Sequence, residues 1–164
     1  MIKKAYLAGG CFWGLEDLMR QQPGVVDTEV GYIGGSNDNP NYHNHPGHAE
    51  GLKIIYDDSK TSYIHILDYF FRIHDPTTLN RQGNDTGSSY RSAIFYQNQS
   101  ELSDAKKMIE LVDKSNNWHS PVVTTLEAFT KFWTAEDYHQ DYLQNNPSGY
   151  TCHYIRPFDS YLKP

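Results

Sequence analysis

Cys11 lies in the sequence Gly9-Gly10-Cys11-Phe12-Trp13-Gly14, between a double glycine and the start of a predicted helix. At such a position, unpaired backbone N–H groups and the positive end of the helix dipole favour the thiolate and therefore nucleophilic attack. The alternative is that Cys11 is a small buried apolar residue, as most isolated cysteines are. The neighbouring glycines, which leave Cys11 accessible, and the two large aromatic residues that follow it favour the interpretation of Cys11 as a nucleophile.

Cys152 is the only other cysteine in the chain. Two cysteines so far apart in a reduced compartment indicate free thiols, a catalytic pair or metal ligands rather than a permanent disulfide. The residues by themselves leave these three alternatives open.

Three histidines, His43, His45 and His48, are close enough in one polar segment to suggest a metal site. No pattern of cysteines or carboxylates accompanies them, and histidines in a polar loop are usually solvated. We therefore expect no metal.

Strand and helix patterns alternate along the chain and position these side chains. Strands are predicted at residues 6–8, 25–33, 52–56, 93–96 and 122–126. Helices are predicted after Gly10, Ser62 and Ser100, with the two serines as N-caps. Polar loops are predicted at 35–47 and 80–89, and an irregular tail after residue 146. The alternation predicts an α/β (α+β) two-layer sandwich around one sheet.

Length and composition exclude several classes of protein. The chain has 164 residues, with 14 Lys and Arg against 20 Asp and Glu, for a formal net charge of −6. A domain that binds nucleic acid is usually basic, so nucleic acid is not an expected partner. No apolar run approaches the roughly 18 residues of a membrane span, and the short apolar stretch near the start is interrupted by glycines. We expect a single cytoplasmic domain that does not bind membranes.

The sequence around Cys11 resembles the signature of the type-A peptide methionine sulfoxide reductases. Four further segments are similar to motifs of that family, in the family's order. They are Gly47-His48-Ala49-Glu50, residues 81–92, Ala135-Glu136-Asp137-Tyr138-His139-Gln140 through Tyr142, and Asn146-Pro147-Ser148-Gly149-Tyr150 leading to a cysteine. The resemblance covers nearly the whole chain. It implies a peptide-methionine (S)-S-oxide reductase, which repairs oxidised methionine, free or in proteins.

The resemblance also implies roles for individual residues. Cys11 attacks the sulfoxide sulfur, Glu50 is the general acid, and Tyr42 and Tyr90 donate hydrogen bonds to the sulfoxide oxygen. An apolar wall is needed to keep a carboxyl such as Glu50 protonated near neutral pH.

A second group of residues is implied to bind the substrate. Phe12 and Trp13 would contact its S-methyl group, because sulfur and methyl groups pack well on aromatic rings. Asp85, His139 and Tyr142 match family positions that organise the site.

Attack by Cys11 would leave a sulfenic acid, which the resemblance implies is resolved by Cys152 as a disulfide that thioredoxin reduces. Many family members carry two cysteines in a glycine-rich tail, whereas this chain has one, so we expect a single disulfide step. No cofactor is expected apart from thioredoxin as the reductant.

We expect a monomer with one domain over residues 1–164. It comprises a catalytic core at 1–145, with a mixed, mostly antiparallel sheet of ferredoxin-like type and flanking helices, and a tail at 146–164 that carries Cys152.

Composition by itself favours plainer interpretations of several residues. Glu50 is by residue type more often a surface charge, Asp85 can stabilise a turn, and His139 and Tyr142 can form one packing face of a helix. A thiol peroxidase or disulfide oxidoreductase is a rival enzyme, although the chain lacks a Cys-x-x-Cys motif. A binding module with an inert Cys11 is the non-enzymatic rival.

Overall fold

The computed structural model describes residues 1–163 as a sheet with helices packed on it. The strands are β1 (Ile2–Gly9), β2 (Val25–Ile33), β3 (Ala49–Asp57), β4 (Arg81–Gln82), β5 (Asp85–Thr86), β6 (Ser92–Tyr96), β7 (Thr125–Ala128) and β8 (Phe132–Thr134). The helices are α1 (Phe12–Met19), α2 (Tyr63–Ile73), α3 (Gln99–Lys114) and α4 (Tyr142–Asn145). Short 3-10 turns lie at Ser88–Tyr90 and Asp137–His139.

Six of these strands form one mixed sheet in the order β7-β6-β1-β3-β2-β8. The pairs β1 with β3, β1 with β6, β2 with β3 and β2 with β8 are antiparallel, and β6 with β7 is parallel. The predicted mixed α/β architecture and its mostly antiparallel sheet are therefore confirmed. The remaining strands, β4 and β5, form a separate two-stranded hairpin.

Alternation along the strands divides the apolar side chains between the two faces of the sheet. On one face, buried residues such as Leu7, Leu52 and Ile54 pack with the apolar sides of α1, α2 and α3. On the other face, Tyr6 and neighbouring small residues pack against the segment that contains Phe129 and Phe132. The helices thus cover one face, and the aromatic segment after β7 covers part of the other.

Several element boundaries differ from the sequence predictions. Ser62 is the N-cap of α2 as predicted, with its hydroxyl accepting the His65 N–H. The predicted N-cap Ser100 is wrong, because Asn98 caps α3 and accepts the Glu101 N–H at 2.9 Å. The strand predicted at 122–126 lies instead at Thr125–Ala128.

Several short elements have no counterpart among the sequence predictions. The loop expected at 80–89 contains the β4–β5 hairpin, the aromatic segment contains β8, and α4 lies just before the tail. The tail after residue 146 has no regular secondary structure up to residue 163, as expected. Within those same described residues, none of the helices is long and apolar enough to cross a membrane.

Candidate active site

Cys11 is separated from β1 only by Gly10 and is the N-cap residue of α1. The chain turns there at Gly10, which has a φ of +93°, a backbone conformation that glycine adopts without steric cost. A Cβ at Gly10 would also lie 2.5 Å from Cγ of Gln82, so the tight turn and the close packing both require glycine. The predicted strand, glycine turn and helix are confirmed.

The Cys11 side chain is only 7% exposed, and this burial has an electrostatic consequence. Burial, together with the nearby Glu50 carboxylate, raises the pKa of the Cys11 thiol, while the Trp13 backbone N–H opposes the rise. The start of the helix thus favours the thiolate as predicted, through the Trp13 N–H, but desolvation outweighs this effect in the substrate-free protein. The resting form of Cys11 is the neutral thiol.

Glu50 lies on β3 and is 2% exposed, so the interpretation of Glu50 as a surface charge is wrong. Its Oε1 accepts the backbone N–H of Phe12 at 3.2 Å, which ties the carboxyl to the first turn of α1. Burial raises the pKa of Glu50 to about 8, although the Phe12 N–H opposes the rise. The carboxyl is consequently protonated for the most part at neutral pH and able to donate a proton.

A cavity of about 240 Å³ joins the thiol and the carboxyl. Its lining consists of Cys11, Phe12, Trp13, Tyr42, Glu50, Asp85, Tyr90 and Tyr150. Seven of these residues belong to the predicted site. Desolvation raises the pKa of both Tyr42 and Tyr90, so their hydroxyls remain protonated hydrogen-bond donors at physiological pH. The cavity therefore combines a thiol, a protonated carboxyl, two phenols and an aromatic wall.

His139 and Tyr142 are outside the cavity lining and instead contact Trp13 from behind. The Trp13 Nε1–H donates to His139 Nδ1 at 2.9 Å. The Tyr142 ring stacks on the Trp13 indole with a centroid distance of 3.8 Å and an interplanar angle of 9°. Both residues fix the orientation of the indole that lines the cavity.

Cys152 is also outside the lining, but it lies beside the hairpin that carries Asp85. Its thiol donates to the Gln82 carbonyl at 3.7 Å, and both cysteines are free thiols. The next residue, His153, donates from Nε2 to the Gly9 carbonyl at 2.6 Å, which fastens the tail to the end of β1. The fold thus brings the second cysteine to the same end of the sheet as the first.

Two residues near the site carry no role in the sequence predictions. Tyr150 lines the cavity, and its hydroxyl donates to Asp85 Oδ2 at 3.2 Å. Glu136 accepts the Tyr42 backbone N–H at 3.0 Å and the Tyr32 hydroxyl at 2.8 Å, which holds the loop that presents Tyr42. Both lie within segments that match the family's motifs, and that position is the only sequence signal for them.

The histidines of the polar loop form hydrogen bonds within the loop and to its neighbours. His48 is buried, accepts the Gly35 N–H at 3.0 Å and donates to the Asn37 carbonyl at 3.0 Å. His45 contacts the Ser89 hydroxyl at 2.8 Å. In the part of the chain from 1 to 163, no cluster of three or more His, Cys, Asp or Glu side chains has the arrangement of a metal site.

Comparison with known proteins identifies the family. A model of the family described as peptide methionine sulfoxide reductase matches residues 3–162. The chain belongs to the peptide methionine sulfoxide reductase family. It is therefore an oxidoreductase, and the rival interpretation of an inert binding module is excluded.

Individual reductases support the assignment in sequence and in structure. Peptide methionine sulfoxide reductase MsrA of Mycolicibacterium vanbaalenii is 58% identical over 155 residues, which cover 94% of this chain and 92% of that relative. The reduced form of Mxr1 from Saccharomyces cerevisiae has a TM-score of 0.88 and 37% identity, covering 94% of this chain and 92% of that one. A structure of Mxr1 in complex with Trx2 has a TM-score of 0.66 and 28% identity, covering 94% of this chain and 90% of that one.

Proposed function

We propose that this reductase converts the S epimer of methionine sulfoxide, free or within proteins, to methionine by attack of Cys11 on the sulfoxide sulfur. The observation that carries the proposal is the shared cavity, in which Cys11 meets a carboxyl that is protonated at neutral pH. A sulfoxide oxygen gains negative charge as its bond to sulfur breaks, and proton donors around it lower that barrier. Glu50, Tyr42 and Tyr90 supply those donors.

The oxygen passes from the substrate to the enzyme in this first step. Glu50 protonates the sulfoxide oxygen, its carboxylate takes up the proton of the Cys11 thiol, and the resulting thiolate attacks the substrate sulfur to form an S–S bond. The hydroxyl group then moves from the substrate sulfur to the Cys11 sulfur as that S–S bond breaks, which releases methionine and leaves Cys11 as a sulfenic acid. The Cys11 sulfur is oxidised by two electrons and the methionine sulfur is reduced by two.

The aromatic wall fixes which epimer reacts. Phe12 and Trp13 accept the S-methyl group, and Trp13 is held in place by His139 and Tyr142. Asp85, which accepts a hydrogen bond from Tyr150, adds a polar part to the lining. A chiral sulfur can place its methyl group on the rings and its oxygen on the donors in only one configuration.

Cys152 completes the cycle in this proposal. It condenses with the Cys11 sulfenic acid to a disulfide, which a thioredoxin then reduces by thiol–disulfide exchange. The free, half-buried Cys152 at the same end of the sheet supports this role. The structural likeness to Mxr1, which is known in complex with Trx2, supports thioredoxin as the reductant. The cycle requires no metal and no other cofactor.

We further propose that the protein acts as a cytoplasmic monomer, with residues 1–164 as one domain and 146–164 as the tail of a core at 1–145. The net charge of −6 supports a protein that binds neither nucleic acid nor anionic membranes. The order β6-β1-β3-β2 with antiparallel neighbours supports a ferredoxin-like centre of the sheet.

An assay on separate epimers tests the proposed function. We expect the purified chain with a dithiol reductant to consume the S epimer of a blocked methionine sulfoxide and to leave the R epimer. Cys11→Ser, the matched control, should consume neither. Equal consumption of both epimers would contradict the role given to the aromatic wall.

A further inference from the structure

The corner at Gln82 and Gly83 lies between the two cysteines. The Gln82 side chain packs against Gly10, the residue before Cys11, and the Gln82 carbonyl accepts the thiol of Cys152 at 3.7 Å. Gln82 therefore contacts the turn before Cys11 with its side chain and Cys152 with its backbone carbonyl.

The corner is itself held rigidly. Gln82 is 2% exposed, and its side-chain amide accepts the Asp75 N–H at 2.7 Å and donates to the Asp75 carbonyl at 2.8 Å. On the other hairpin strand, Asp85 accepts the Tyr150 hydroxyl, which ties the tail to the hairpin two residues before Cys152. The hairpin can therefore serve as a fixed support for the tail cysteine.

Gly83 provides the surface on which Cys152 rests. It has a φ of +58°, and a Cβ built there would lie 2.8 Å from the Cys152 Cβ and 3.3 Å from its Sγ. Contacts of 2.8 Å between carbon atoms are far inside van der Waals separation, so Cys152 occupies the space that any other side chain at residue 83 would fill.

We propose that Gly83 is a positioning residue for the disulfide step, because its missing side chain lets Cys152 lie against the Gln82 corner beside the Cys11 turn. The inference rests on the proposed function, in which Cys152 resolves the Cys11 sulfenic acid. In that step the Cys152 sulfur attacks the Cys11 sulfur, the S–S bond forms and the S–O bond breaks. The thiol proton leaves with the hydroxide as water.

Substitution of Gly83 should affect one step of the cycle and not the other. Gly83→Ala should slow formation of the Cys11–Cys152 disulfide by roughly ten- to a hundred-fold, as expected for a reacting group displaced by about 1 Å. The preceding release of methionine, which does not involve Cys152, should keep its rate within about twofold. The sulfenic acid should accumulate and be trapped by dimedone.

Two further variants separate contact from backbone strain. Gly87→Ala is the matched control, because Gly87 also has a positive φ, +134°, but a Cβ added there would meet nothing within 4 Å. Gly87→Ala should leave the rate of disulfide formation unchanged. Gly83→Asn adds a Cβ at the same place on a residue that tolerates positive φ, so it should slow the step as Gly83→Ala does.

A rapid-quench experiment with the full chain and one equivalent of sulfoxide decides the matter, measuring methionine release and disulfide formation in the same samples. A normal rate of disulfide formation in Gly83→Ala, equal slowing in Gly87→Ala, or parallel loss of both steps would overturn the inference while leaving the proposed function intact. If the wild-type chain releases methionine but never forms the Cys11–Cys152 disulfide, the resolving role of Cys152 fails, and the positioning role fails with it.

Discussion

The Glu50 carboxyl is separated from water by the same packing that buries Cys11. Burial raises the pKa of both groups, and the negative charge of an ionised Glu50 adds to the rise at Cys11. The two side chains therefore cannot readily both be ionised, and the substrate-free site holds a thiol beside a protonated carboxyl. In the proposed mechanism the Glu50 carboxylate that forms on proton donation takes up the proton of the Cys11 thiol, so the attacking thiolate forms without a second buried negative charge.

Glu50→Gln should slow release of methionine in a single turnover by about 10²–10⁴-fold, the usual range for loss of a general acid. The amide keeps an oxygen that can accept the Phe12 N–H, so the fold should be retained, which circular dichroism can check. Glu101→Gln is the control, because Glu101 is also a buried carboxyl with a raised pKa but lies outside the cavity lining. An unchanged rate in Glu50→Gln would assign proton donation to Tyr42 or Tyr90.

At the scale of elements, the start of α3 shows how a cap fixes a helix that packs on the sheet. Asn98 accepts the N–H of Glu101, and buried Ala105, Met108 and Val112 attach the helix to the core. Ser100 is exposed and lies within the helix, where its hydroxyl caps nothing. Stability should therefore depend on Asn98 and not on Ser100.

Asn98→Ala should lower the free energy of unfolding by about 1 kcal/mol, within the usual range for loss of an N-cap. Ser100→Ala should change it by less than about 0.5 kcal/mol. Urea denaturation of the two variants measures both values, and reductase activity should be unaffected in each. A larger loss in Ser100→Ala than in Asn98→Ala would show that the cap is assigned to the wrong residue.

The same region shows what a sequence pattern can and cannot predict. Long elements with clear periodicity, such as β2, α1 and α2, are predicted nearly in full, because their apolar spacing records the face that they bury. The predicted N-cap of α3 is wrong although Asn98 stands three residues before Glu101, a spacing typical of helix starts. The hairpin β4–β5 and strand β8 have two or three residues per strand, too few to show alternation. In addition, β8 is a strand only through its pairing with β2, which is far away in the sequence.

The residues of the candidate active site are likewise only partly predictable from the sequence. Cys11 and Glu50 lie in motifs that the resemblance identifies, and the structure brings both into one cavity. Tyr150 and Gly83 could not be assigned from sequence, because their importance comes from contacts between the tail and the hairpin. Such long-range contacts leave no local pattern.

At the scale of the whole molecule, buried histidines tie the site to the rest of the fold. His74 is fully buried at the end of α2, donates to the Phe70 carbonyl at 2.6 Å and accepts the Ser92 hydroxyl at 2.8 Å. Burial lowers the pKa of His74 to about 3 and that of His153 to about 4. Both rings are therefore neutral in the folded protein.

These depressed pKa values predict acid sensitivity. Below a pH of about 6.5 the unfolded chain binds protons at these histidines while the folded chain does not, so stability falls as the pH falls from about 6.5 towards 4. Buried carboxyls with raised pKa, such as Glu50, have the opposite pH dependence, so the test compares variants rather than absolute slopes.

Between pH 6.5 and pH 4 the free energy of unfolding should fall in both proteins, but it should fall by about 3 kcal/mol less in His74→Gln than in wild type. The substitution also lowers stability at neutral pH, but only the difference between the two pH values is used. His119→Gln, at an exposed histidine, should leave that difference unchanged. An unaltered difference in His74→Gln would show that this histidine is not a source of acid sensitivity.

The tail that carries Cys152 is fastened before that cysteine by the hydrogen bond from Tyr150 to Asp85 and after it by further hydrogen bonds. His153 bonds to the end of β1, and further on the Tyr161 N–H donates to Asp68 of α2 at 2.7 Å. The Tyr161 hydroxyl donates to the Phe71 carbonyl at 3.0 Å. The second thiol is thus delivered to the site by a segment anchored to the core, which suits a role in every catalytic cycle.

The central claim is that Cys11 takes the oxygen and Cys152 only regenerates it. The measurement that tests this claim most directly is the amount of methionine formed per chain with thioredoxin as the reductant. Wild type should turn over repeatedly, Cys152→Ser should form about one equivalent and then stall, and Cys11→Ser should form none. Methionine formation by Cys11→Ser, or continued turnover by Cys152→Ser at the wild-type rate, would contradict the account.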